Sequence, residues 1–397
     1  MKILLFNRFF FPDTSATSQI VSDLAFHLAA EGFEVHAITS RVPGGVEYEE
    51  IAGVAIHRVA VALTGPHGLF RRAIAYLDYY RGAKKAARAL IAPGDVVVLK
   101  TDPPMLSSAV GHLAKAKGAK LVLWLQDVFP EVAREYGVPG MGGPLGAIIR
   151  SIRNRSLSIA DRIVVIGDRM ASEVAKIGAS PERIEVIHNW ADGEAIQPVD
   201  RDANTLRRQW DLGGDFVVGY SGNLGRVHEF ETMLDAAALL KDDRAIRFVI
   251  IGRGPRLQEV RARAEREGIA NMRFEPHQDR DMLGQSLGVA DVHLSVLQSG
   301  FEGLVHPSKL YGIMAAGRPT IFIGDARGET AAILSATGSG IAVKSGDSAG
   351  LVAAIKFMRD QEETRLEMGR AARRAFDERF AMPIALRKWR AVLASLG

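Results

Sequence analysis

Phe216-Val217-Val218-Gly219-Tyr220-Ser221-Gly222-Asn223-Leu224-Gly225-Arg226 decides how this chain is organised. A short, mostly apolar run ends in a glycine turn, and a helical pattern over 229–240 follows. The same alternation has already run its course upstream. Buried-strand patterns are read at 2–6, 34–39, 95–100, 120–126, 162–166 and 183–187. Ile20, Val21, Leu24, Ala25 and Leu28 form a helical stripe over 17–30. After 216–220, strand patterns continue at 247–251, 272–275, 292–296, 320–323 and 341–343. Short apolar strands separated by helices imply parallel sheets, and a restart halfway implies two of them. The polar stretch 189–212, with Asp192, Gly193, Pro198, Asp200 and Asp202, is the linker candidate. The expected fold is α/β, with two Rossmann-like doubly wound domains facing a cleft. Ligands of such sheets bind beyond the C-terminal strand ends, which makes those loops the place to look for chemistry.

The bulk properties narrow the function. The chain has 397 residues, 47% hydrophobic and 24% charged, enough for each half to bury its own core. It contains no cysteine, which excludes structural disulfides, thiolate catalysis and Cys-based zinc sites. The start, Met1-Lys2-Ile3-Leu4-Leu5-Phe6-Asn7-Arg8, turns polar too early for a secretory signal, and no later run approaches the roughly 20 apolar residues of a membrane span. A soluble, cytoplasmic protein is expected. A formal charge of +4 suits an anionic substrate or membrane surface and is too small to argue for nucleic acid.

Several loops could hold phosphate. Ser299-Gly300-Phe301-Glu302-Gly303-Leu304-Val305-His306-Pro307-Ser308-Lys309-Leu310 links a strand to a helix over 310–316. Free N–H groups at a helix start favour an anion, Gly303 permits close backbone approach, Lys309 adds a cation, and Ser308 can donate to phosphate. The plain alternative is a serine cap beside a solvated lysine. Gly222, Asn223 and Arg226 follow the strand at 216–220, and Gly252, Arg253 and Gly254 hold the same place one βα unit later; either can be an ordinary tight turn. His277 and Gln278, after the next strand, can meet a base edge. Asp279-Arg280-Asp281 is better read as first-turn acids than as a metal motif. In the first half, Asp127 ends a buried strand, where a carboxylate can orient a substrate hydroxyl or stabilise developing positive charge; capping the segment after Pro130 is its alternative. Thr14, Ser15 and Thr17 can touch phosphate or acceptor, or cap the next helix.

In this order the loops resemble those of the retaining glycosyltransferases of family 4, which have the GT-B fold. Ile187-His188-Asn189-Trp190-Ala191-Asp192 is similar to that family's interdomain segment. Pro307-Ser308-Lys309-Leu310, followed by Met314-Ala315-Ala316-Gly317-Arg318-Pro319, resembles its donor-site helix. Gln126-Asp127-Val128-Phe129-Pro130 resembles bacterial members that build cell-surface polysaccharides.

The resemblance implies a domain at 1–190 that holds the acceptor and takes back a C-terminal helix at 378–397, and a domain at 191–377 that holds a nucleotide sugar, UDP by the family's habit. It implies transfer with retention, with no metal and no other cofactor. Asp127 and Glu302 would serve catalysis. Gly222, Asn223, Arg226, Gly252, Arg253, His277, Gln278, Gly303, Leu304, Val305, Ser308, Lys309 and Glu329 would line the donor site. The chain also departs from the pattern. Leu304 and Gly312 occupy the places of the family's two glutamates, which leaves Glu302 and Glu329 as substitutes. Asn223 takes a usual arginine place, with Arg226 displaced from it, and Ser15-Ala16 replaces a Gly-Gly.

The acceptor would be a glycan or a polyprenyl-diphosphate-linked one. Over 69–91, Leu69, Ala73, Tyr76, Tyr80, Ala83, Ala87 and Leu90 keep helical spacing amid Arg71, Arg72, Arg81, Lys84, Lys85 and Arg88. Such a helix can lie on the inner face of an anionic membrane, or pack its stripe on the sheet. Two other functions compete. A sugar-nucleotide 2-epimerase of the same fold would need more clustered carboxylates and a histidine. A non-catalytic scaffold would bind nucleotide without turnover.

Overall fold

The computed structural model describes residues 1–42, 44–61 and 69–397, apart from the side chains of Leu69, Phe70 and Arg72. The chain divides into two compact units. The first comprises Met1–His188, Gly303–Val305 and Leu386–Gly397, and the second Asn189–Glu302 and His306–Ala385. Of the C-terminal segment, 378–385 therefore packs with the second unit and only the remainder with the first.

The first unit is built on β1 (Lys2–Phe6), β2 (Glu34–Ser40), β3 (Tyr48–Ile51), β4 (Val54–Val59), β5 (Val96–Lys100), β6 (Lys120–Trp124), β7 (Arg162–Val165) and β8 (Ile184–Val186). They form one sheet in the order β3-β4-β2-β1-β5-β6-β7-β8, parallel except for the β3–β4 pair. β5 is buried along its whole length, and β1 and β6 beside it beyond their first residue, as expected where both faces of a parallel sheet are covered. β3 and β4 are absent from the sequence expectations. β4 alternates buried and half-buried residues, and β3 is a four-residue edge strand carrying Glu49 and Glu50, so neither shows a continuous apolar run.

The second unit is built on β9 (Phe216–Asn223), β10 (Ile246–Arg253), β11 (Met272–Glu275), β12 (Val292–Val296), β13 (Thr320–Ile323) and β14 (Gly340–Val343). Its sheet is parallel throughout, in the order β11-β10-β9-β12-β13-β14. The chain runs outward from β9 on one side, then returns to extend the other side from β12. Each unit has its own core: Phe216, Tyr220, Phe248 and Val292 belong to one cluster, and Leu4, Val97, Leu121 and Ile163 to another.

Two expected segments take a different form. The linker stretch contains the helix Thr205–Gln209, whose start is capped by the Asn204 side chain accepting from Arg207 N–H at 3.0 Å. Asn204 also donates to Gln285 O at 2.8 Å, which fixes the stretch to the second unit. The helix Leu69–Leu90 buries Ala75, Tyr79, Ala83 and Ala87, so its small-residue stripe covers the sheet and leaves Arg71, Arg81, Lys85 and Arg88 exposed. The Leu69 and Arg72 side chains of that expectation lie outside the described residues.

The helix Met382–Ala394 ends the chain with Leu386, Trp389, Val392 and Leu393 buried. Within the first unit the Trp389 ring meets Trp124 edge-on, with centroids 4.6 Å apart. Both side chains are fully buried, and both large apolar surfaces leave water together. Trp389→Ala is expected to destabilise the first unit by about 3–5 kcal/mol, as large core truncations do. Urea denaturation measures it, and a loss below about 1 kcal/mol would show that the last helix is not part of that core.

Candidate functional site

In the second unit the chemistry gathers where the strand order reverses, beyond the C-terminal ends of β9 and β12. β9 and β10 stay in register through Gly222 and Asn223, opposite Gly252 and Arg253. Leu224 N–H donates to Arg253 O at 2.8 Å. Two glycines make this approach possible. A Cβ on Gly252, at φ +151°, would stand 2.0 Å from Gly222 O, and one on Gly254, at φ +147°, would stand 2.5 Å from Leu224 O. Both positions are closed to side chains by contact and by backbone conformation.

Tyr220 and His228 brace the turn from below. The Tyr220 hydroxyl donates to Asn223 O at 2.9 Å and lies 3.0 Å from His228 Nδ1. The same nitrogen accepts from Gly225 N–H at 3.0 Å. Burial, with the nearby Lys309 charge, pushes the His228 imidazole down to about 3, so it is a neutral acceptor.

Lys309 opens the helix Lys309–Ala315. Its Nζ lies 3.4 Å from the centroid of the Tyr220 ring, and Cε and Nζ are the atoms nearest to a Cβ built on Gly222, at 3.7 and 3.8 Å. The ammonium is buried and has no hydrogen-bond partner. Burial holds it well below the usual lysine range. A cation over a ring face gains something, far less than the hydration it has lost. Among the described residues, the Lys309 ammonium beside the glycine turn thus has no counter-charge in contact with it.

Around it, Arg226 is exposed and makes no hydrogen bond or ion pair, and Arg253 is exposed on the neighbouring loop. Burial, then the Arg253 charge, lowers the His277 imidazole, which places those two side chains in one neighbourhood. Gln278 donates to Pro276 O at 2.9 Å. Glu302 accepts from Gly300 N–H at 2.7 Å through one carboxylate oxygen, while the other is buried without a partner. Its Cγ lies 3.4 Å from a Cβ built on Gly328, beside Glu329, which starts the helix Glu329–Thr337. Gly312 faces Leu287 and Ile196 at 3.4 and 3.9 Å, an apolar setting. Ser308 makes no side-chain cap.

The segment 303–309 is not one unit of structure. Gly303, Leu304 and Val305 pack with the first unit: Leu304 O accepts from Val128 N–H at 2.9 Å, Val305 bridges Asp127 in antiparallel fashion, and the Leu304 side chain joins the first unit's core. Gly303, at φ +74°, is needed because a Cβ there would come within 2.8 Å of Glu173 Cγ. The contact that requires a glycine at 303 is thus with Glu173, within the first unit.

The first unit holds a second cluster, beyond β1, β5 and β6. The Asp127 carboxyl has one buried oxygen without a hydrogen-bond partner. Burial, reinforced by Asp102, raises it to about 7. It does not cap the following helix, whose cap position is Pro130. Lys100 is buried at the end of β5; its Nζ donates to Thr17 O at 2.9 Å and sits 4.5 Å above the Trp124 ring. Burial brings Lys100 down to about 7 against the pull of Asp102 and Asp127. Arg8 pairs with Asp102 at 3.4 Å. Ser15 turns its hydroxyl to Asp13 and forms no side-chain cap, and Gln19 donates to Thr14 O at 3.1 Å.

The expectations omit Lys100, Asp102, Tyr220 and His228. For Lys100 a signal existed: a lysine closes the otherwise apolar run Val96-Val97-Val98-Leu99, directly before Thr101-Asp102-Pro103. Among the described residues, no group of three or more His, Asp or Glu side chains is placed to hold a metal ion, and no helix is long and apolar enough to cross a membrane.

Comparison with known proteins agrees with this layout. Residues 15–190 match the model of the glycosyl transferase 4-like domain, and residues 202–375 that of glycosyl transferases group 1. The chain is 30% identical over 303 residues to the probable glycosyltransferase WbjE of Pseudomonas aeruginosa, covering 76% of this chain and 75% of that one. It is 32% identical over 246 residues to the putative colanic acid biosynthesis glycosyl transferase WcaI of Escherichia coli K12, covering 60% of each. Among solved structures, sucrose-phosphate synthase of Thermosynechococcus elongatus superposes with a TM-score of 0.82 at 16% identity, over all of this chain and 99% of that one. Anabaena Alr3699/HepE, solved with UDP-glucose, superposes with a TM-score of 0.72 at 15% identity over the whole of both chains. Two parallel-sheet units of the GT-B type, matched in turn by the two domain models, establish that the chain belongs to the group 1 glycosyltransferases.

Proposed function

We propose that this glycosyltransferase takes a sugar from a nucleotide-sugar donor, UDP-linked, and transfers it with retention and without a metal to a glycan or lipid-linked glycan acceptor in cell-surface polysaccharide synthesis. The observation that carries the donor reading is the Lys309 ammonium, buried and unpartnered between the Tyr220 ring and the Gly222 turn. A donor diphosphate there restores the counter-charge that burial removed, in a charge-assisted contact strengthened by its dry surroundings. When the bond from the anomeric carbon to the diphosphate breaks, the electron pair leaves with the diphosphate, and Lys309 stabilises that growing negative charge. Arg226, exposed and uncommitted on the same turn, supplies a second cation. HepE, solved with UDP-glucose, supports testing UDP first. WcaI, named for colanic acid biosynthesis, supports the polysaccharide setting.

Asp127 is assigned to the acceptor side, where its carboxylate would orient the attacking hydroxyl. Its buried, unpartnered oxygen and its raised proton affinity support that role. Glu302, with one buried oxygen uncommitted, and Glu329 are the carboxylates proposed to take up donor hydroxyls in place of Gly312 and Leu304.

Calorimetric titration with UDP, GDP and ADP tests the donor assignment. UDP is expected to bind best, and Lys309→Ala and Arg226→Ala each to weaken it about tenfold or more. Equal affinity in the Lys309 variant would remove the diphosphate site from this turn. Asp127→Asn is expected to abolish turnover and keep UDP affinity. In the wild type, turnover at saturating donor should rise as pH passes about 7, because the ionised carboxylate is the working form and its proton leaves in that range. Normal turnover by Asp127→Asn would exclude the role.

A further inference from the structure

A second cavity in the second unit, of about 930 Å³, lies at the opposite ends of the strands from Lys309. It is bounded by Asp291, which precedes β12, by Arg318, which precedes β13, by the stretch after Pro198, and by the helix Glu362–Ala375. Six arginines line it, Arg201, Arg318, Arg365, Arg370, Arg373 and Arg374, against four carboxylates, Asp200, Asp202, Asp291 and Glu362.

The floor is the informative part. Of the lining, Arg365 is 7% and Asp291 4% exposed, and Arg207, which does not line the cavity but pairs with Asp291, is 3% exposed. Asp291 is already committed, to Arg207 at 3.2 Å, to Arg201 at 3.8 Å and to Val217 N–H at 2.8 Å. Among the described residues, Arg318 donates to neutral oxygens, Val199 O at 2.7 Å and Gly288 O at 2.8 Å, and its buried Nε has no partner. Arg365 bonds Met358 O at 3.0 Å and, at the surface, Glu362 at 2.9 Å. Burial, together with Arg207 and Arg365, holds Arg318 below the usual arginine range, opposed only by Asp291 and Asp200. Arginine keeps its charge, so the imbalance cannot be relieved by losing a proton. At the rim, Arg370 and Arg374 share the single carboxylate Glu367, at 2.8 and 2.9 Å, and Arg373 pairs with Asp377 at 2.9 Å.

We infer that this cavity is a second anion site, separate from the donor site, for a small free compound carrying two or more phosphates. Forked guanidinium donors facing one volume suit phosphate oxygens, and the cavity is large enough for a chain of them. Its wall includes Ala316, Gly317 and Arg318, which directly follow the helix whose first residue is Lys309. An anion held there would fix the far end of the donor-site helix and the stretch that precedes Asn204.

Isothermal titration of inorganic triphosphate into the full chain tests the inference, using wild type, Lys309→Ala and the double variant Arg370→Glu/Arg374→Glu. Both rim side chains are 58% exposed, so folding should be kept, and equal thermal midpoints without ligand check it. Arg374→Gln alone serves as the milder variant. The expected result is binding by wild type and Lys309→Ala within about threefold of each other, and loss of about tenfold or more in the double variant. The double variant should still bind UDP as wild type does. No binding by wild type, undiminished binding by the rim variants, or loss confined to Lys309→Ala would each overturn the inference. The last outcome would place the triphosphate at the donor turn.

Discussion

A lysine ammonium taken out of water needs something in return, and at Lys309 the protein supplies only the face of Tyr220. That deficit organises the second unit. Tyr220 must be buried and aligned for the ring to lie under the cation, and its hydroxyl must then find partners, which it does at Asn223 O and His228. His228 must stay neutral to accept from Gly225, and burial keeps it so. The glycine turn is thereby held by hydrogen bonds from beneath, with its open side toward the lysine. The lysine, tyrosine, histidine and glycines make one preset arrangement, and if it binds the donor diphosphate as proposed, little reorganisation is needed.

The first unit is arranged on a different principle. Its cluster mixes signs: Lys100 stands among Asp102 and Asp127, and Arg8 pairs with Asp102. Burial moves Lys100 down and Asp127 up until both meet near 7. Trp124 lies directly under Lys100, and Trp389 of the last helix lies against Trp124. The C-terminal segment is therefore a support for this cluster as well as a cover for the sheet.

The sequence made the fold legible wherever burial was two-sided. Strands such as Val292–Val296 and Thr320–Ile323 are wholly buried and read as unbroken apolar runs. Strands β3 and β4 were not legible, since an edge strand with Glu49 and Glu50 resembles a loop. The glycine turns and Lys309 were legible as motifs, and the structure brings Gly222, Gly252 and Lys309 together. The packing of Gly303–Val305 was not legible, because its partners, Val128 and the helix Asp168–Lys176, are remote in sequence; a glycine before an apolar pair carries no mark of which backbone it will meet. Lys100 was passed over because a lysine at a strand end looks solvated, and only tertiary packing reveals that it is not.

The tight backbone contact between the loops after β9 and β10 has an evolutionary meaning. No side chain can be added at position 252 or 254 without breaking the contact, so those residues offer no route to a new substrate preference. A change in what the proposed donor site accepts would fall to neighbouring positions that carry side chains, such as Arg226, Gln278 and Glu302. The turn is then a fixed frame in this protein, and the residues around it are where side chains can change without disturbing it.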